Sequence, residues 1–326
     1  MWFPVKLNDR LEFSNKKIDV LAIGEILVDL ISTSYADLMS DNRFNAYFGG
    51  SPANIAMNIK RLGGQSQICA AVGTDAFGDF LIGHLKKQGM DTSLIQQVKQ
   101  STSMVAINKS KGTPIPVFYR GADYHLQLTD QLKQEVEQTK IIHFSSWPIS
   151  RPESRNIVKE VIELARKDQT LVCFDPNYHK SLWDDAEDGI EFIKEMISYA
   201  DIIKPSDDDA QRLFGLDTPE NQIEKFHQLG CPFVIMTLGA EGAIVSIEGK
   251  KRYYPSFAKK VVDTTGAGDA FWSGFYVGLT QGETIEQALN IGFKVSAYKL
   301  KYTGAVVDLP HYKKLSLSEE AYDDIK

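Results

Sequence analysis

Short apolar runs alternate along this chain with longer stretches whose apolar residues return at helical spacing. The first run, Asp19 to Ile23, stops at Gly24-Glu25 and reads as a strand buried on both faces of a parallel sheet. A second strand, Gln65 to Val72, leads through Gly73–Asp79 into a helix reaching about Gly89, with Asp75 as its cap. Ile141–Ser145, Glu153–Lys167, Thr170–Phe174, Ile190–Ala200 and Asp201–Lys204 then alternate strand and helix. That alternation predicts crossover units, hence an α/β fold with a mostly parallel sheet and helices on both faces. Phe233–Leu238 is another buried strand, followed by a hairpin of Ala243–Ile247 and Arg252–Tyr254, and a helix runs from about Ile285 to Tyr302. Residues 102–109 and 115–120 break the rhythm. They alternate apolar and polar, are joined by Lys109–Pro114, and with the extended pieces near 26–32 and 44–48 predict a small separate antiparallel sheet. Residues 1–17 read as a surface arm and 311–326 as a charged surface helix.

Composition narrows the function classes. A chain of 326 residues, 43% hydrophobic and 24% charged, has length for one large α/β domain with an insertion or for two modest domains. A net charge of -7 argues against nucleic acid as a partner, since phosphate contacts need clustered cations. Cys69, Cys173 and Cys231 lie far apart in apolar segments and predict buried thiols in a reducing, cytoplasmic compartment. The six histidines show no ligand spacing, so no protein-held metal is expected. No apolar run approaches the ~20 residues that span a bilayer, so no membrane association is expected.

The chemistry concentrates in Asp263-Thr264-Thr265-Gly266-Ala267-Gly268-Asp269-Ala270-Phe271. Gly266 and Gly268 let the backbone turn so that its N–H groups face one point, and the apolar residues after Asp269 predict a buried helix starting there. Unpaired donors and the helix dipole make such a terminus an anion site. A carboxylate there is either a helix cap or a base beside a transferring phosphoryl group. Upstream, Gly49-Gly50-Ser51-Pro52-Ala53-Asn54 predicts a helix capped by Ser51, opened by Pro52 and closed at Gly63-Gly64, with Asn54 in its first turn. Asp29, in an apolar strand, is either paired or aimed at a polar ligand.

These two motifs together resemble the C-terminal and N-terminal signatures of the ribokinase-like (PfkB-type) carbohydrate kinases, and the likeness extends from Gly24 to Ala305. The resemblance implies a single domain over 1–326, with a β-sheet lid formed by segments about 26–48 and 100–122 that also mediates homodimerisation. It implies ATP and Mg²⁺ as cofactors, the metal riding on the nucleotide phosphates. It assigns Asp269 as catalytic base, the Gly266-Ala267-Gly268 backbone as anion hole, and Asp29, Gly49, Gly50 and Asn54 as sugar contacts. Arg120, in Tyr119-Arg120-Gly121-Ala122-Asp123, is similar to the arginine that fructokinase-like members present to substrate.

On the nucleotide side the likeness implicates Asn177, Thr237, Gly239 and Gly242. The chain departs from the family pattern at four places. His179 stands for an arginine, Ser206 and Asp209 for Asn-x-x-Glu, and Phe293 for an asparagine near adenine. The resemblance implies phosphorylation of a sugar's primary hydroxyl, with fructose the first expectation and 2-keto-3-deoxygluconate the alternative. A non-catalytic sugar-binding regulator on the same fold is a third reading. A nicotinamide dehydrogenase lacks its Gly-x-Gly-x-x-Gly after the first strand, and a P-loop enzyme lacks its Gly-Lys-Ser/Thr.

Overall fold

The computed structural model describes residues 2, 4–34, 42–109, 116–184 and 189–317. The connection expected at 110–114, residues 35–41 of the lid segment and the tail from 318 onward lie outside the described residues.

From the N-terminus come β1 (Ile18–Ile23), β2 (Leu27–Ser32), β3 (Phe44–Gly49), α1 (Ser51–Leu62), β4 (Ser66–Gly73), α2 (Ala76–Lys87), β5 (Ile95–Val98), β6 (Met104–Ile107) and β7 (Pro116–Tyr119). The middle of the chain forms α3 (Asp130–Glu137), β8 (Thr139–Ser145), α4 (Ser146–Ile149), α5 (Pro152–Lys167), β9 (Leu171–Asp175), α6 (Gly189–Ile197), β10 (Ile202–Ile203), α7 (Asp207–Phe214) and α8 (Pro219–Gln228). The last part gives β11 (Phe233–Thr237), β12 (Ala243–Ile247), β13 (Lys250–Tyr254), α9 (Ala267–Thr280), α10 (Ile285–Lys299) and α11 (Tyr312–Leu317).

Nine strands make the large sheet in the order β13-β12-β11-β10-β9-β8-β1-β4-β5. All neighbours from β11 to β5 run parallel, and at the other edge β12 lies antiparallel to both β11 and β13. Because successive strand residues face opposite sides, β1 feeds two cores. Val20 joins the layer of α1, α9 and α10 with Phe271, Phe275 and Leu289, whereas Leu21 and Ile23 join that of α5, α6 and α8.

The small sheet exists, in the order β3-β2-β6-β7, but it is mixed: β2 and β6 pair in parallel, not antiparallel as expected. A parallel pair cannot close by a tight turn, and here α1, β4, α2 and β5 lie between the two strands in sequence. The described part of the arm, residue 2 and residues 4–17, docks on the body of the fold. Glu286 N–H donates to Leu7 O (2.8 Å) and Ile285 N–H to Asp9 O (2.9 Å), while Leu11 is 8% exposed. It thereby satisfies donors of the first turn of α10 that the helix itself cannot.

Candidate active site

Strand β1 and helices α1 and α9 meet at the carboxyl end of the large sheet, where the catalytic motifs converge. Helix α1 begins at Ser51 itself. Its cap is Gly50, whose φ of 113° is open to glycine and hostile to other residues. A Cβ there would stand 2.4 Å from Glu25 O. Ser51 is therefore not the cap expected from sequence, and its hydroxyl is released for other use. Ser51 Oγ donates to Asp269 Oδ1 (2.7 Å), and Asn54 Nδ2 donates to Asp269 Oδ2 (2.9 Å). Asn54 Oδ1 is buried without a partner.

Asp269 opens the first turn of α9, after Gly266 in the left-handed region (φ 77°). Burial raises its pKa above the ordinary carboxylate value. The hydrogen bonds from Ser51 and Asn54 oppose that shift, as does the charge of Lys204, while Asp175 adds to it. A carboxyl so placed is a proton acceptor held in one orientation, as a general base requires. The expected anion hole is partly engaged: Ala267 N–H donates to Thr264 O (3.1 Å), so the open donors are those of Gly266 and Gly268.

Asp29, on β2, is held where burial pushes its pKa to about 6. A Cβ on Gly49 would fall 2.3 Å from Asp29 Oδ2, so the absence of a side chain at 49 is what admits the carboxylate. Asp29, Gly49, Gly50 and Asn54 are therefore brought together. Arg120 stands apart. Its side chain is 6% exposed, Nε donates to Asp123 Oδ2 (2.8 Å), Nη1 reaches Ser150, and the guanidinium lies over the Trp147 ring. It forms wall rather than a free arm, beside a cavity of about 520 Å³ also lined by Phe118, Tyr124, Arg151 and Ser181.

Of the residues expected to face the nucleotide, Asn177 adopts a φ of 34° and its carbonyl accepts from Ser146 Oγ (2.9 Å). Thr237 N–H donates to Pro205 O (3.0 Å). Gly239 faces open space, whereas a Cβ on Gly242 would meet Tyr254 O at 2.1 Å, a packing reason for that glycine. His179 Nδ1 lies 2.7 Å from Ser181 Oγ. Ser206 and Asp209 form a full capping box on α7, and Asp209 Oδ1 also accepts from Tyr178 N–H (2.8 Å). Phe293 stacks on Phe257 and packs against Phe271.

Sequence reading gave no role to two buried titratable residues at strand ends. Glu25, just after β1, accepts from Ser51 N–H at Oε1 (3.1 Å), and its Oε2 is buried without a partner. Burial raises its pKa to about 8, so it is neutral at pH 7. Lys204, just after β10, lies 3.1 Å from Asp175 Oδ2, an oxygen that also accepts from Trp272 Nε1 (2.8 Å). A Cβ on Gly268 would come within 3.4 Å of Lys204 Nζ, which places that ammonium beneath the first turn of α9. The available signal was position: a charged residue directly following an apolar strand of a parallel sheet faces the ligand edge. Among the described residues no group of three or more His, Cys, Asp or Glu is placed to hold a metal, and no helix is long and apolar enough to cross a membrane.

This arrangement agrees with what the chain is similar to. The model of the pfkB family of carbohydrate kinases matches residues 17–311. A relative named ATP-dependent 6-phosphofructokinase, from Thermoanaerobacterium thermosaccharolyticum, is 54% identical over 93% of this chain and 94% of its own. The solved fructokinase of Halothermothrix orenii is 42% identical, with a TM-score of 0.76 over 85% of this chain and 98% of that one. A sugar kinase of Pyrococcus horikoshii, solved in complex with ATP, is 32% identical, with a TM-score of 0.79 over 94% and 99%. The chain belongs to the pfkB carbohydrate kinase family and is an ATP-dependent sugar kinase.

Proposed function

We propose that this kinase transfers the γ-phosphoryl group of ATP to a primary hydroxyl of a ketohexose, with fructose 6-phosphate as acceptor. The observation that carries the chemistry is the carboxylate of Asp269, fixed by Ser51 and Asn54 at the opening turn of α9. Asp269 takes the proton of the attacking hydroxyl as its oxygen bonds to γ-phosphorus and the bond to ADP breaks. The N–H groups of Gly266 and Gly268, with Ala267 between them, meet the charge that develops on the phosphoryl oxygens. Asp29 and the unpartnered Asn54 Oδ1 accept from acceptor hydroxyls, and Gly49 and Gly50 let the sugar lie against backbone. Asn177, Thr237, Gly239 and Gly242 line the nucleotide side.

The 6-phosphate reading is supported by the 54% relationship to a protein of that name. Free fructose is the second reading, favoured by the 42% likeness to a solved fructokinase. Mg²⁺ fits as an ion carried on the nucleotide. The nearby carboxylates, Asp175 and Asp209, are already bonded to Lys204, Trp272, Ser206 and Tyr178, which suits contact through water rather than a protein cage. Bound there, it would neutralise charge on the phosphates.

The same reading treats residues 1–326 as one domain whose lid, the β3-β2-β6-β7 sheet, closes over the acceptor. It pairs two copies through that lid, where Tyr47, Val117 and Tyr119 are exposed, and sedimentation tests the pairing. It also places the chain in the cytoplasm, in keeping with three buried free cysteines.

The deciding assay is ADP release with Mg·ATP against fructose 6-phosphate, fructose and 2-keto-3-deoxygluconate. Asp269→Asn is expected to lose ~10²–10⁴-fold in kcat, the usual contribution of a general base, while still binding ATP. A folded Asp269→Asn enzyme with normal turnover sinks the site. Turnover of fructose but not its 6-phosphate moves the assignment to the second reading.

A further inference from the structure

Helix α1 does not begin where its sequence would ordinarily start a helix. A serine before a proline usually caps, its oxygen accepting from N–H groups two and three residues on. In α1 that arrangement would turn Ser51 Oγ onto the N–H groups of Ala53 and Asn54. The helix starts one residue earlier instead, with Gly50 in the cap position and Asn54 N–H donating to Gly50 O (3.1 Å). Gly50 has no side chain to accept with. This register leaves Ser51 N–H as a first-turn donor that nothing in the helix can meet.

Glu25 meets it. Its Oε1 accepts from Ser51 N–H (3.1 Å), from a position 26 residues earlier at the end of β1. The two segments also pack too closely for side chains at their glycines. A Cβ on Gly50 would stand 2.4 Å from Glu25 O, and one on Gly24 would stand 2.7 Å from Pro52 Cγ. Glu25 is 5% exposed, and the charges of Asp123 and Arg120 act on it in opposite senses. Burial raises its pKa to about 8, so at pH 7 it accepts as a neutral acid. A buried acid with one oxygen unpartnered is a costly way to fill space, and an apolar side chain would fill it more cheaply. What the apolar side chain could not supply is an acceptor for Ser51.

We propose that Glu25 is a positioning residue for phosphoryl transfer: by capping α1 from the end of β1, it frees the Ser51 hydroxyl to donate to Asp269. The contacts run from Glu25 Oε1 to Ser51 N–H, and from Ser51 Oγ to Asp269 Oδ1 (2.7 Å). Without an acceptor at 25 the helix end is satisfied by making Ser51 its cap, and of the two bonds to Asp269 only that from Asn54 is left. The inference rests on reading Asp269 as the general base.

The test is a double-mutant cycle read as ADP release with Mg·ATP and fructose 6-phosphate, or fructose if that is the sugar turned over. Glu25→Met keeps the length and loses the acceptor, so kcat should fall about tenfold with both KM values within about threefold of wild type. Ser51→Ala should lose a similar factor. Glu25→Gln keeps an acceptor of the same reach and should stay within about twofold in kcat. In the double variant Glu25→Met/Ser51→Ala, kcat should lie within about twofold of Ser51→Ala alone, because both changes remove the same bond to Asp269. Losses that multiply overturn the proposal, since Glu25 would then act independently of Ser51. Unchanged kcat in folded Glu25→Met overturns it too, as does a loss in Glu25→Gln equal to that in Glu25→Met. Glu25→Asp keeps the carboxyl but draws the acceptor back by one methylene; should Glu25→Met not fold, it takes that place in the cycle, with the same expected loss and the same refutation. Asp269→Asn is run alongside: if that variant turns over normally, the reading of Asp269 as base has failed, not merely the role of Glu25.

Discussion

Replacing Glu25 by Gln should stabilise this protein, and by more as pH rises. The carboxyl is fully buried, accepts one N–H from Ser51, and carries a second oxygen with no partner. Burial pushes its pKa in the folded chain up to about 8, from an ordinary value of about 4.5. A carboxyl raised in this way is neutral in the folded chain and ionised in the unfolded one between those two values. The unfolded state therefore gains free energy on ionisation that the folded state does not. Stability is full below about pH 4.5 and falls by about 1.4 kcal/mol per pH unit until the folded group ionises near pH 8. Gln has the shape of the neutral acid and no such dependence. Its advantage should be about 1 kcal/mol at pH 5, about 3 kcal/mol at pH 7 and near its ceiling of about 5 kcal/mol above pH 8. Urea unfolding of both proteins at those pH values measures the difference directly. A difference that stays flat from pH 5 to 8 refutes the reasoning, because it would mean that Glu25 is ionised in the fold.

Three further outcomes follow from the site. On the proposed reading Asp29 is ionised when it accepts from acceptor hydroxyls, so kcat/KM should fall as pH drops below about 6, and Asp29→Asn should remove that limb from the pH profile. Ser51→Ala removes a hydrogen bond that lowers the Asp269 pKa, so the acid limb assigned to Asp269 should move up by about one to two units, the equivalent of ~1.5–3 kcal/mol for a bond to a charged group. Gly50→Ala combines a positive φ with a clash against Glu25 backbone and should cost ~2–4 kcal/mol in urea unfolding. Gly49→Ala meets a side chain instead, and should raise the acceptor KM by displacing Asp29 while costing less stability.

The parallel sheet was legible because strands buried on both faces leave unbroken apolar runs, and β1, β8, β9 and β11 fall within a residue or two of their expected bounds. Strand β5, Ile-Gln-Gln-Val, was missed because an edge strand with half-exposed residues leaves no such run. The parallel pairing of β2 with β6 was hidden as well: alternation shows which face a strand buries, not the direction of its neighbour. In the site, Asp269 and Asn54 were readable from their motifs, but what joins them was not. Ser51 looked like a cap, because serine before proline at a helix start usually is one. Only the conformation of Gly50 moves the cap back one residue and sends the hydroxyl to Asp269. For Arg120 the missing part was its partner, since an arginine ending a strand does not reveal that the aspartate three residues on is buried and paired with it.

The two hydrogen bonds on Asp269 come from residues 218 and 215 positions earlier in the chain. During synthesis the acceptor side, with β1, β2 and α1, therefore emerges long before the residue that makes it reactive. Helix α1 buries Ile55, Ile59 and Leu62 in the same core as Phe271, Phe275 and Tyr276 of α9, so it waits with an uncovered apolar face until the last quarter of the chain arrives. A ribosome stalled before α9 would hold a half that lacks Asp269 and is adhesive through that apolar face. For this fold, a captured nascent chain should need a chaperone most in the interval between the completion of β4 and the release of α9.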